Sequence, residues 1–118
     1  MLNKIILASK SKVRKDILDK NNIESSVQPS NIDEDIIKSS LLKEQATPEI
    51  ISKNLAELKA NKISAKKIDQ MVLGADSVID LDGELISKPK NRDEAMAILK
   101  KLNGKSHYLI SSVCFSKN

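Results

Sequence analysis

The sequence is sparing with the residues that mark most specialised chemistries. It holds one cysteine, Cys114, among 118 residues. That excludes internal disulfides and any cysteine-built zinc cluster, and it suits a reducing compartment. His107 is the one histidine; with no Cys or His partner for a metal site it reads as a strand-edge residue. Tryptophan is absent, and Tyr108 and Phe115 are the only aromatics, so the stacking platforms that readers of single-stranded nucleic acid use are missing. Arginine is nearly as scarce, with only Arg14 and Arg92 among 20 basic residues. The net charge of +4 and pI near 9.2 would suit a nucleic-acid partner, but the lysines are dispersed singly or in pairs as on a solvated surface, and no nucleic-acid partner is expected. No apolar run approaches the roughly 20 residues needed to cross a bilayer. The longest, such as Ile5-Ile6-Leu7-Ala8, have the length of a strand, and the stretch between Lys4 and Lys10 is too short for a secretory signal core. No membrane partner is expected either, and cytoplasm is the expected location.

What remains is an aliphatic core of Ile, Leu, Val and Ala in one domain spanning 1–118, long enough to bury about two thirds of its unfolded surface. Punctuation is sparse, with three glycines and three prolines, and it separates the segments cleanly. Lys4–Ala8 reads as a buried strand, and Lys12 to about Asn21 as a helix with Val13, Ile17 and Leu18 inward. Glu24–Gln28 reads as a more exposed strand. Asp33-Glu34-Asp35 supplies the acidic first turn of a short helix ending before Thr47. Thr47-Pro48-Glu49 starts a helix to about Ala65, with Ile51, Leu55, Leu58 and the stem of Lys62 along one side. Met71–Gly74 and Val78–Leu81 read as two short strands, with Gly74-Ala75-Asp76-Ser77 between or across them. Asp82-Gly83 is a two-residue hairpin turn, and Glu84–Ser87 is its return strand. Asn91 and Glu94 have capping-box spacing before a helix carrying Ala95, Ile98, Leu99 and Leu102, which Gly104 closes. Ser106–Phe115 reads as a long last strand. The order predicts an α/β fold, a mixed β-sheet flanked by helices, with a strand-to-helix turn near the N-terminus.

Chemistry has two natural places in this pattern. Ser9-Lys10-Ser11-Lys12-Val13-Arg14 lies where the first strand hands over to the first helix. There, free helix N–H groups favour an anion, and Arg14 offers a planar donor fork to phosphate; from residue types alone a capped helix with solvated basic residues is the favoured alternative. Asp76 follows an apolar strand and precedes another, so if buried it must meet a cation, a metal or a water-filled cleft; a turn aspartate bonding its own backbone is the alternative. Lys88-Pro89 falls near the same sheet end, and Asp33 and Glu34 could bind Mg²⁺ with phosphate oxygens or simply begin a helix. Cys114 reads as a small buried hydrophobe.

Taken in order, six blocks resemble one family. They are Ile6-Leu7-Ala8-Ser9 with Ser11 and Arg14, Asp33-Glu34, Leu55-Ala56 with Lys59-Ala60, Leu73-Gly74-Ala75-Asp76-Ser77-Val78, Leu81 and Gly83-Glu84 with Lys88-Pro89, and Leu102 with Gly104-Lys105-Ser106-His107. Their order and intervals are similar to those of the Maf nucleoside triphosphate pyrophosphatases, also called septum-formation inhibitor homologues. The resemblance implies an inosine-triphosphatase-like fold and hydrolysis of a nucleoside triphosphate between the α and β phosphates, with a divalent cation, Mg²⁺ or Mn²⁺. The implied substrates are pyrimidine, modified or noncanonical triphosphates, the implied role is cleansing of the nucleotide pool, and a homodimer is compatible. It further implies Asp76 as proton acceptor, with Lys59 and Lys88 as catalytic cleft residues. Ser9, Ser11, Arg14 and Glu34 would hold substrate and phosphate, Glu34 and Asp76 the metal, and Val13 and Ser77 would match positions tied to base selection. Many members carry Pro-Arg-Arg where this chain has Lys12-Val13-Arg14. Family chains also continue beyond the last strand, so the resemblance implies a missing C-terminal third and a strand over 106–116 without neighbours. A catalytically impaired nucleotide-binding or interaction domain is the alternative expectation.

Overall fold

The computed structural model describes residues 4–118. Five strands and four helices follow in the order β1 (Ile5–Leu7), α1 (Lys12–Lys20), β2 (Ser25–Val27), α2 (Glu34–Lys43), α3 (Pro48–Ser64), β3 (Met71–Leu81), β4 (Glu84–Ile86), α4 (Arg92–Leu102) and β5 (Tyr108–Lys117). Each helix starts where its cap residue dictates. Ser11, Asp33, Thr47 and Asn91 have extended backbones, and their side-chain oxygens accept from the N–H of Arg14, Ile36, Ile50 and Glu94 respectively. Glu94 completes its half of the box one residue further back than expected, accepting from Lys90 N at 2.6 Å. In the hairpin, Asp82 and Gly83 both take positive φ, 51° and 87°, the primed turn that matches strand twist.

The expected pair of short strands over 71–81 is one strand of 11 residues. The reason is β5, which pairs antiparallel with β3 from Met71↔Lys117 to Asp80↔Tyr108 and carries the ladder straight through Asp76↔Ser112. The last strand therefore has a neighbour along its whole length, contrary to expectation, and begins two residues later than predicted. β1 pairs parallel with β2 and with Val72–Leu73 of β3, while β4 pairs antiparallel with Ile79–Leu81. Since β5 occupies one edge of β3, β1 and β4 share the other. Between them, Gly74–Val78 has no strand neighbour on that edge among the described residues.

Two clusters form the core, one on each face of the sheet. Ile6, Ala8 and Val72 meet Ala60 and Ile63 of α3, with the half-buried Cys114 against them. Ile5, Leu7 and Leu73 meet Leu18 and Ile23 on the other face. In α3 the buried stripe is two adjacent ridges, Ile51, Leu55, Lys59, Ile63 and Ser52, Ala56, Ala60, Ser64. The expected stripe was rotated, for Leu58 and Lys62 are exposed and Lys59 is inside. The small second ridge lets the helix lie close against the sheet. Val13 and Ile17 are exposed too, at 68% and 53%, because α1 covers only the β1 end of its face and leaves Leu109, Val113 and Phe115 of β5 bare. Among the described residues, no helix is long and apolar enough to cross a membrane.

Candidate active site

The gap along β3 opens onto a cleft of two lobes, about 220 and 360 Å³, that share Arg14, Glu34, Lys59 and Lys88 in their walls. The first lobe is built by the turn after β1. Ser9 is buried, and its Oγ accepts from Ser11 N and from Arg14 Nη1, both at 3.1 Å. Both lone pairs are thus engaged and the hydroxyl proton is free to donate. Ser11 caps α1 through Arg14 N at 3.2 Å, while the N–H groups of Lys12 and Val13 in the first turn need no intrahelical partner and suit an anion. The second guanidinium nitrogen, Arg14 Nη2, donates to Ser77 Oγ at 3.4 Å, and Ser77 Oγ shares a hydrogen bond with Ser111 Oγ at 2.8 Å. The turn after β1 and the middle of β3 are therefore tied together.

The second group centres on Lys59. Its Nζ lies 2.8 Å from Glu34 Oε1, 3.1 Å from Asp76 Oδ1 and 3.3 Å from the carbonyl oxygen of Ala75. Two features bring it there. Gly74 has no side chain, and a Cβ on it would stand 2.3 Å from the carbonyl oxygen of Ala56 and 2.7 Å from Ala60 N. Ser52, fully buried on the same helix, donates to the carbonyl oxygen of Asp76 at 3.2 Å. Asp33 is used as the cap of α2, which leaves Glu34 to face the lysine.

The two carboxylates around Lys59 titrate in opposite directions. Burial pushes Asp76 above the usual carboxylate range despite the charge and hydrogen bond of Lys59, and nearby Glu34 pushes it further. Burial acts on Glu34 in the same sense, but there the Lys59 hydrogen bond and charge, with Lys38 and Arg14, hold the group below its ordinary value. Burial thus makes Asp76 a stronger proton acceptor than an ordinary aspartate, and Lys59 makes Glu34 a weaker one than an ordinary glutamate. The Oδ2 of Asp76 is buried and has no hydrogen-bond partner among the described residues, and Asp76 lines the second lobe of the cleft.

Seven of the sequence-derived candidates fall into two bonded groups in the walls of this cleft, Ser9, Ser11, Arg14 and Ser77 in one and Glu34, Lys59 and Asp76 in the other, and Lys88 lines both lobes. Val13 makes none of these bonds and lines an adjoining apolar groove with Ile17, Leu109 and Val113, in whose wall Ser11, Arg14, Asp76 and Ser77 also stand. Sequence reasoning missed Ser30, buried in the first lobe, and Lys38, which lines the second. Lys38 stands four residues after Glu34 on α2, so helical spacing alone could have placed it on the same face.

Comparison with known proteins fits this geometry. Over 117 residues the chain is 68% identical to a nucleoside triphosphate pyrophosphatase of Pelagibacter ubique (strain HTCC1062), covering 99% of this chain and 60% of that protein. It is 35% identical over 113 residues to a dTTP/UTP pyrophosphatase of Ruminiclostridium cellulolyticum, covering 96% and 56%. With a 7-methyl-GTP pyrophosphatase of Brucella abortus it shares 36% over 118 residues, covering 100% and 59%. The chain thus spans less than two thirds of the length of these curated relatives. The Maf-like protein family model matches residues 4–118, so nearly the whole chain, cleft included, belongs to the Maf-like protein family.

Proposed function

We propose that this cleft hydrolyses nucleoside triphosphates of the pyrimidine, modified or noncanonical type between the α and β phosphates, releasing a monophosphate and pyrophosphate and so cleansing the nucleotide pool in the cytoplasm. The observation that carries the reading is Asp76 itself, a buried carboxylate with one oxygen on Lys59 and the other unpartnered, beside a turn that presents Ser9, Ser11 and Arg14. Arg14, Ser9 and Ser11 would grip phosphate oxygens. Lys59 and Lys88 would take up charge on the reacting phosphoryl group, and Asp76 would orient the attacking water and accept its proton. Ser77, on the rim with the exposed Val13 beyond it, would bear on the choice of base.

A divalent cation fits these residues, because the unpartnered Asp76 Oδ2 and Glu34 are hard oxygen donors and a Mg²⁺ site of this class needs only one or two carboxylates besides phosphate. When bound it would supply Lewis-acid polarisation of the phosphoryl oxygens.

The test is pyrophosphate release from a panel including UTP, dTTP, CTP and 7-methyl-GTP with Mg²⁺ or Mn²⁺. Asp76→Asn should abolish release and leave triphosphate binding within a few-fold. Binding without release in the unaltered chain would favour a nucleotide-binding domain that has lost catalysis, and activity that survives Asp76→Asn would overturn the assignment of Asp76.

A further inference from the structure

The ammonium of Lys59 is saturated. Its three protons meet three oxygens, from Glu34, Asp76 and the Ala75 carbonyl, at 2.8, 3.1 and 3.3 Å. A cage of carboxylate and carbonyl oxygens is also what a hard divalent ion seeks. Lys59 is 9% exposed and Asp76 5%, so solvent and salt screen their charges weakly. The cage carries two negative charges and one positive. A divalent ion entering beside the ammonium would meet like charge at close range, whereas one entering in its place would be balanced by the two carboxylates. Among the described residues there is no group of three or more His, Cys, Asp or Glu side chains that could hold a metal ion.

From this arrangement we infer that Lys59 is the resident cation of the cleft, and that it excludes divalent metal from Glu34 and Asp76 until it leaves them. Resting on the function proposed above, the event that draws it away is arrival of a triphosphate. Lys59 lines both lobes, and the first lobe also holds Ser9, Ser11 and Arg14. Phosphate oxygens bound there would offer the ammonium new acceptors within the swing of its four-carbon stem. Metal alone is refused, and metal with nucleotide is accepted. The lysine thereby sets the order of loading as well as stabilising charge.

The experiment is titration of the chain with Mn²⁺ alone, free Mn²⁺ being read by electron paramagnetic resonance. The unaltered chain should retain little metal, while Lys59→Met and Lys59→Gln should each bind one Mn²⁺ at least about tenfold more tightly, as removal of a like charge from a poorly screened site demands. Adding Glu34→Gln to either should remove that gain. Far-UV circular dichroism checks folding, and Lys59→Gln, which keeps a donor for the Ala75 carbonyl, decides the matter if the methionine variant does not fold. Equal Mn²⁺ affinity in the unaltered chain and a folded Lys59 variant would overturn the inference, as would a gain indifferent to Glu34. A further arm adds α,β-methylene UTP to the unaltered chain, where Mn²⁺ retention, taken above that of the same nucleotide without protein, should rise. If it does not, while the Lys59 variants still show their gain, the triphosphate reading of the cleft fails and the exclusion of metal by Lys59 stands.

Discussion

Gly74→Ala adds one methyl group at the point where α3 lies closest to the sheet, and its cost can be worked from distances. The new Cβ would stand 2.3 Å from the Ala56 carbonyl oxygen, 2.7 Å from Ala60 N and 2.9 Å from Ala60 Cβ. Ordinary contact needs about 1 Å more. Two of the three obstacles are helix backbone, which no rotamer change can clear, so α3 must withdraw. Overpacking of this kind costs roughly 1–3 kcal/mol. The withdrawal also carries Lys59 away from Asp76, stretching a 3.1 Å contact and uncovering a buried carboxylate, a further 1–3 kcal/mol on the order of magnitude typical for a lost partner. We expect a total loss of about 2–6 kcal/mol, equivalent to a fall in Tm of roughly 8–24 °C for a chain of this size. Urea melts followed by circular dichroism would measure it. Strand propensity alone predicts the opposite sign, since alanine in a strand is better than glycine by about 0.5–1 kcal/mol. Adding Ala60→Gly removes only the 2.9 Å contact and should not rescue the variant. A Gly74→Ala chain as stable as its parent, or one restored by Ala60→Gly, would refute the close approach of helix and strand on which the geometry of Lys59 depends.

The carboxylates should leave opposite signatures in stability against pH. Glu34, held below its ordinary value, stabilises the fold above the usual glutamate range and loses that contribution as pH falls through its lowered folded value, so Glu34→Gln should flatten the acid limb. Asp76, raised by burial, contributes below the usual aspartate range and loses that contribution as pH rises through its raised value; Asp76→Asn should therefore gain on the unaltered chain toward neutral pH, and melts in which both variants run parallel to it would contradict this. The bare face of β5 offers another check. Val113→Lys and Phe115→Lys, at side chains 66% and 61% exposed, should change unfolding free energy by no more than about 0.5 kcal/mol. They should also lower binding of the apolar dye ANS, and a large loss of stability would mean that this face is covered.

Local chemistry carried much of the sequence reading. The caps at Ser11, Asp33, Thr47 and Asn91 and the Asp82-Gly83 turn involve groups a few residues apart, so their hydrogen bonds and φ angles are properties of short peptides. The candidate residues were legible for a related reason: a hydroxyl-rich turn at a strand end, and an aspartate amid apolar residues, each announce an unsolved charge problem without saying what solves it.

The solution itself lay outside any short window. Hydrophobicity ranks Leu58 above Lys59 for burial, yet Lys59 is inside, because Glu34 from α2 and Asp76 from β3 are there to balance it and Gly74 admits the helix. One strand replaced two over 71–81 only because β5, about forty residues away, supplies the ladder. Local sequence determined where elements begin and turn, since caps and turns act over three or four residues. Tertiary structure alone decided which lysine is buried, which edge of β3 stays open and which charges meet, since those depend on partners that only the folded chain brings within a few ångströms.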